Sequence, residues 1–461
     1  MSCLSARIVC AIGLASAAVW TSPPAMAVSP PVVDNSRLPD PRPPAPPEPT
    51  EQRQDCLVSP PTQPTAGTQL AGLELPQVWA LSRGAGQTVA VIDTGVARHR
   101  LLPHLVPGGD YVHTGDGTDD CDGHGTVVAG IIGAAEDSTR GAGFSGIAPD
   151  ATIIGIRQSS VKFAPAGESA PGFGDVDTLA EAIRTAADMG ATVINVSSIA
   201  CVAADAELDD RALGAALAYA VDVKNVVVVA AAGNVGGLGQ CPDQNPPSDP
   251  ARPGRPDWES VEVVVSPAWY DDYVLTVGSS DVQGAPSQFT LAGPWVDVAA
   301  PGEGVVSLDA DGEGLVDSLP VLGDAAPIVG TSYAAPVVSG IAALVRARSP
   351  HLTARQVIQR IKDTAHRPPE GWNPFVGNGL VDALAAVSGG AATTNVVVPR
   401  PESATGAGRS DFRAQEKGRD RSGLRVAFGG AGVCVATVVA ALAMAATFGR
   451  SRRRGDTVAG D

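Results

Sequence analysis

The sequence predicts an α/β protein with a mostly parallel central sheet and helices on both faces. Short apolar runs at 88–92, 151–156, 191–196, 225–230 and 273–277 alternate with helical patterns at 127–134, 176–189 and 212–223. The runs are apolar almost throughout, the composition of strands covered on both sides. Strand and helix alternate because a parallel neighbour can be reached only by a crossover.

Taken in chain order, the first run (Val89, Ala90, Val91, Ile92) ends at Asp93 and turns through Thr94-Gly95. Helix 127–134 follows the glycines that flank His124, and 151–156 returns to the sheet after Gly146-Ile147-Ala148-Pro149. Helix 176–189 leads into the strand Val193-Ile194-Asn195-Val196, and 212–223 leads into a valine run that stays apolar to Ala232 and then meets Gly233-Asn234. Val337, Val338, Ile341, Leu344 and Val345 recur at helical spacing behind Ser332, and 353–366 reads as one more helix. The Gly/Pro-rich stretches 161–174, 236–256 and 309–327 read as loops inserted around a cleft.

Both ends carry a different pattern. Residues 1–27 combine Arg7, an apolar stretch and Ala25-Met26-Ala27, the form of a secretory signal peptide. Residues 28–71 are crowded with proline, which suits an extended segment and not a folded unit. The globular region is expected at 72–390 and a polar linker at 391–425. Residues 426–449 contain no charged side chain and would span about 36 Å as a helix, enough to cross a bilayer. Arg450, Arg452, Arg453 and Arg454 open the tail 450–461, so the positive-inside rule puts the C-terminus in the cytoplasm and the globular region outside.

A net charge of −17 argues against nucleic acid or an anionic membrane surface as a general partner. Asp309, Asp311, Glu313 and Asp317 fall in one of the inserted loops, where solvation is their expected role. No loop has a complete calcium pattern, and no metal or other cofactor is expected.

Three separated segments carry the chemistry: V-A-V-I-D-T-G-V (89–96), D-G-H-G-T-V-V-A-G (122–130) and G-T-S-Y-A-A-P (330–336). Each context also has a bland reading, as a strand end, a glycine loop and a helix cap. Independent accidents would not combine Asp93, His124 and Ser332 in these contexts and in this order. The combination reads as a catalytic triad in which Asp93 orients His124, and His124 takes the proton from Ser332 and returns it to the leaving amine. Ser332 at a helix start adds oriented N–H groups for the developing oxyanion, and the side-chain amide of Asn234 is a further donor. Other signals fail. G-x-G-x-x-G at 141–146 precedes a strand instead of a helix, Ser332 lacks the second glycine of a hydrolase elbow, and His99, His104 and His113 lack zinc-protease spacing.

These motifs resemble the subtilisin (S8) family, and the whole arrangement from signal peptide to basic tail is similar to the mycosins, the membrane-anchored subtilisin-like proteases of actinobacterial type VII secretion. The resemblance implies a subtilisin-like three-layer fold, Asp93, His124 and Ser332 as the triad, and Asn234 as the oxyanion donor. It implies a serine endopeptidase that processes exported proteins at the cell membrane beside the secretion complex. The alternative is a structural part of that complex whose proteolysis is dispensable. In the wider family the segment after Asn-x-Ser walls the primary pocket. Here it is Ser197-Ser198-Ile199, and bulk at Ile199 predicts a small residue before the scissile bond.

Cys3 and Cys10 lie in the signal peptide and Cys434 in the apolar span, which leaves Cys56, Cys121, Cys201 and Cys241 outside. An even number in an exported domain argues for two disulfides, and four cysteines allow three pairings. Cys56 with Cys121 is favoured because it ties the N-terminal extension to the core, and Cys201 with Cys241 because it links two loops near the cleft. The extension is too short and too proline-rich for the folded inhibitory propeptide of most subtilisins. The mycosin resemblance implies instead an extension that wraps the catalytic domain.

Overall fold

Seven parallel strands form the centre of the molecule: β1 (Thr88–Asp93), β2 (Leu105–Asp110), β3 (Thr152–Arg157), β4 (Val193–Val196), β5 (Val227–Ala231), β6 (Val274–Ser280) and β7 (Val298–Pro301). Their order across the sheet is β7-β6-β5-β4-β1-β3-β2, and every neighbouring pair is parallel. The structure is a computed structural model that describes residues 28–59, 69–136, 144–167, 172–236, 241–247, 249, 251–321 and 324–389. The signal peptide expected at 1–27, the linker at 391–425, the apolar span at 426–449 and the tail at 450–461 lie outside the described residues. Among the described residues no helix is long and apolar enough to cross a membrane.

The helices sort onto two faces. α1 (His124–Gly133) packs on α4 (Thr331–Arg348), whereas α2 (Val176–Asp188) packs on α3 (Arg211–Ala218), and both pairs lie against the sheet. This is the expected three-layer α/β arrangement. α4 is buried nearly all round, from Tyr333 through Val345, because it crosses beneath β4, β5 and β6. Small residues allow that approach: a Cβ on Gly340 would lie 2.5 Å from Ile147 Cβ. Val89, Ile92, Val228 and Ile341 are fully buried, and each such side chain contributes roughly 1.5–3 kcal/mol. α5 (Ala354–Thr364) starts with a reciprocal capping box between Thr353 and Gln356. α3 ends at Ala218 and a five-residue π-turn completes the segment to Val223.

Two strands lack a sequence signal, and both lie at sheet edges. β2 reads L-V-P-G-G-D and β7 reads V-A-A-P. Proline and glycine break the apolar run that marks a strand, but an edge strand tolerates them because one side needs no ladder partner.

The N-terminal extension lies on the domain surface. Arg42 Nη2 pairs with Glu181 Oε1 at 2.7 Å, Arg184 donates to Pro39 O at 3.1 Å, and Thr50–Gln52 forms an antiparallel pair with Phe163–Pro165. Cys56 is bonded to Cys121, and Cys201 to Cys241. The boundary expected between 71 and 72 falls inside packed structure, since Gln69 and Leu70 are already buried. The loop 309–327 is not irregular throughout. It contains a hairpin of Ser318–Val321 with Asp324–Pro327, which brings Leu319 and Pro320 to the cleft.

Candidate active site

β1 is the switch point of the sheet, with β3 on one side and β4 on the other, and Asp93 is its last residue. Open α/β sheets hold ligands at the carboxyl ends of strands at such a point. A cleft of about 630 Å³ lies there, lined by Asp93, His124, Ser159, Ser197, Ile199 and Ser332 among others.

Asp93 is fully buried, and its Oδ1 accepts the N–H of Thr94 at 2.8 Å and lies 2.7 Å from His124 Nδ1. Its Oδ2 is buried without a hydrogen-bond partner among the described residues. His124 is the first residue of α1 and follows Gly123, whose φ of 77° favours glycine. A Cβ on Gly125 would lie 2.0 Å from Gly95 O, so glycine there lets the turn after Asp93 touch the start of α1. Burial pulls the His124 pKa down, but the charge and hydrogen bond of Asp93, helped by Asp120 and Asp122, more than offset this and leave it raised. The paired imidazole is thus held with its Nδ1 toward the carboxylate and its Nε2 free for a proton.

Ser332 is the second residue of α4. Its hydroxyl lies 3.5 Å from Ser197 O, at the limit of a hydrogen bond, and is not hydrogen-bonded to His124. The contact between hydroxyl and imidazole expected for a triad is therefore open in this conformation. Such contacts are often long without substrate and tighten in the Michaelis complex. Pro336 explains a neighbouring contact. It has no N–H for the Ser332 carbonyl one turn back, and the Ser197 hydroxyl donates to that carbonyl at 3.0 Å instead.

Asn234 follows β5 and faces the same helix start. Its Oδ1 accepts the N–H of Thr331 at 2.9 Å and the Thr331 hydroxyl at 3.0 Å. With the oxygen so engaged, Nδ2 is the end left to donate, and it lies 3.7 Å from where a Cβ on Gly330 would sit. An anion beside Ser332 would meet this donor and the positive end of the α4 dipole.

Ser197, Ser198 and Ile199 line the cleft below Ser332. Asn195 Nδ2 donates to Ser197 Oγ at 2.9 Å and Ser339 donates to Asn195 Oδ1 at 2.8 Å, a buried chain that ties this wall to α4. Ile199 Cδ1 comes within 3.4 Å of a Cβ position on Gly233. The disulfide Cys201–Cys241 holds the strand after Ile199 against the segment after Asn234, where Cys241 donates to Asn234 O at 3.1 Å.

Sequence reasoning missed Asp120. Its carboxylate accepts hydrogen bonds from Thr94 Oγ1, Gly123 N, Thr126 N and Thr126 Oγ1 at 2.6–2.8 Å. Burial pushes its pKa up to about 6 against those bonds. Its position four residues before His124 was the available signal. Asp122, in the quoted motif, accepts Ser160 Oγ at 2.5 Å and Val161 N at 2.9 Å, which fixes one rim of the cleft. His99 and His113 are packing residues: His99 accepts Leu101 N at Nδ1 and bonds Gly314 O, and His113 lies against Phe163. Asp309 and Asp311 accept hydrogen bonds from Ser59 and from the turn at Glu313. Among the described residues no group of three or more His, Cys, Asp or Glu could hold a metal ion.

The chain is similar to known proteins over most of its length. The subtilase-family (peptidase S8) model matches residues 84–406. Mycosin-4 of Mycobacterium tuberculosis (strain ATCC 25618 / H37Rv) is 58% identical, covering 99% of this chain and 98% of that protein. The structure of the MycP3 protease from the type VII (ESX-3) secretion system superposes with a TM-score of 0.72 at 47% identity, covering 78% of this chain and 99% of the other. A chain from the periplasmic assembly of the ESX-5 inner membrane complex superposes with a TM-score of 0.73 at 41% identity, covering 84% and 99%.

Proposed function

From the premise that this chain belongs to the subtilase family and, within it, to the mycosins, we propose that it works at the outer face of the cell membrane as the protease of a type VII secretion system. The chain is a serine endopeptidase. We assign Ser332 as nucleophile, His124 as general base and then acid, Asp93 as its orienting carboxylate, and Asn234 as a donor to the oxyanion. The observation that carries this assignment is the 2.7 Å contact between Asp93 and His124 in the cleft that Ser332 also lines.

In the reaction, the substrate carbonyl approaches Ser332 with the preceding side chain against Ile199 in the cleft. Rotation of the Ser332 hydroxyl toward Nε2 of His124 lets the imidazole take its proton as Oγ attacks. The imidazolium then forms 2.7 Å from the buried Asp93 carboxylate. Asn234 Nδ2 and the α4 N-terminus meet the oxyanion, and His124 returns the proton to the leaving amine. Water repeats the sequence on the acyl-enzyme.

The membrane assignment comes from the segments outside the described residues: a signal peptide at 1–27, an anchor at 426–449 and a cytoplasmic tail at 450–461. The likeness to a chain of the ESX-5 inner membrane complex supports a second role as a structural member of such an assembly. Ser332→Ala in the full-length chain tests both. Loss of fluorophosphonate labelling and of cleavage of co-secreted proteins is expected. Secretion that persists assigns the protein a structural role beside proteolysis, and secretion that stops makes proteolysis essential. Labelling that survives the substitution sinks the assignment of Ser332.

A further inference from the structure

The N-terminal extension reaches the cleft. Leu57 is one of its lining residues, beside Asp122, His124 and Val161. The contact is close, since a Cβ on Gly123, the residue before His124, would lie 2.8 Å from Leu57 Cδ2. Nothing in the composition of a proline-rich segment indicates such a role.

Leu57 is held on both sides. Cys56 is bonded to Cys121, and the N–H of Leu57 donates to Cys121 O at 2.8 Å. Upstream, Arg53 N donates to Lys162 O at 2.8 Å, and downstream Ser59 Oγ donates to Asp309 Oδ1 at 2.8 Å. The segment therefore lies along the cleft rim as a pinned strap, with one apolar side chain packed beside Gly123, the residue before His124. Val161, 61% exposed, is a second apolar residue of the lining, tied by its N–H to Asp122 Oδ1 at 2.9 Å.

We propose that Leu57 walls the subsite for the substrate residue that precedes the one at the scissile bond, and that it restricts this residue to a compact, uncharged side chain. The inference rests on the protease reading above. An extended peptide turns successive side chains to opposite sides. With the first side chain against Ile199, the preceding one faces His124 and Leu57. A long or aromatic side chain there meets the Leu57 isobutyl group, and a charged one loses solvation against Leu57 and Val161. The Cys56–Cys121 bond is a positioning element of the same subsite, because it fixes the residue next to Leu57.

The test uses the full-length chain in detergent and peptides that differ only at this position, carrying Ala, Val, Phe or Lys. Wild type is expected to favour Ala and Val. Leu57→Ala is expected to raise the Phe/Ala ratio of kcat/KM by roughly tenfold or more, the scale of a pocket altered by a few methylenes. Leu57→Trp is expected to move the ratio in the opposite direction, which a general loss of folding cannot do. Cys56→Ser with Cys121→Ser is expected to follow Leu57→Ala. Ratios within twofold of wild type in both Leu57 variants overturn the inference and leave the protease reading intact, provided the wild-type chain takes a fluorophosphonate label. A wild-type chain that neither labels nor cleaves any peptide overturns both.

Discussion

The Asp120 carboxylate accepts the hydroxyl of Thr94 at 2.8 Å, and that hydroxyl in turn accepts the N–H of Gly125 at 3.0 Å. Thr94 follows Asp93 and Gly125 follows His124, so this bridge sets how closely the strand end and the helix start approach. Asp120→Asn replaces one accepting oxygen with an N–H₂ that faces donors. We expect kcat to fall by roughly 10- to 100-fold, the scale of a slight misplacement of reacting groups, with a smaller change in KM. A protonated His124 cannot accept the serine proton, so kcat/KM rises with pH through the raised His124 pKa. Asp120 contributes to that elevation, so its removal should shift the acid limb to lower pH. A pH–rate profile with unchanged limb and kcat would leave Asp120 a purely structural residue.

Asn234 caps Thr331 through its Oδ1, the oxyanion is the proposed partner of its Nδ2, and two substitutions separate these roles. Asn234→Asp keeps an acceptor for Thr331 but loses the donor, whereas Asn234→Ala loses both. If donation to the oxyanion dominates, both should lower kcat by about 10²–10³-fold at nearly constant KM. Near-normal turnover in Asn234→Asp would reduce the residue to a cap.

Ile199 lines the cleft and packs against Gly233, and a role in narrowing the primary pocket is open to test. Wild type is expected to turn over peptides with Ala or Ser before the scissile bond faster than those with Phe. Ile199→Gly should raise kcat/KM for the Phe peptide by about 10- to 200-fold. Best turnover with Phe or Tyr in the wild-type chain would show that Ile199 points away from the substrate.

Asp271 provides a test of stability at a distance from the catalytic residues. Burial and the neighbouring Asp297 push its carboxyl up to about 7, with Lys362 opposing. The folded chain then holds a proton that an unfolded aspartate releases near pH ~4, so stability falls as pH rises from about 4 to about 7. Asp120, pushed up to about 6, acts in the same direction. Asp271→Asn should raise Tm at pH 7.5 by roughly 2–4 °C for each kcal/mol of strain relieved and flatten the decline of Tm between pH 5 and 7.5. An unchanged Tm at pH 7.5 would mean that the ionised carboxylate is solvated.

The sequence by itself determined the α/β class and five strands of the sheet. Those strands lie inside it, and burial on both faces leaves an uninterrupted apolar run that can be read locally. It also singled out Asp93, His124, Ser332 and Asn234, because each stands in a local context that its expected chemistry demands. Only the tertiary structure decided the rest. The edge strands β2 and β7 carry proline where the ladder does not need an N–H, and so lose their signature. Asp120 works through four hydrogen bonds to residues on two other turns, and Leu57 reaches the cleft beside Gly123 because a disulfide and a strand pairing hold the extension there. Such roles depend on contacts between distant parts of the chain, and the folding that closes those contacts leaves no local periodicity behind.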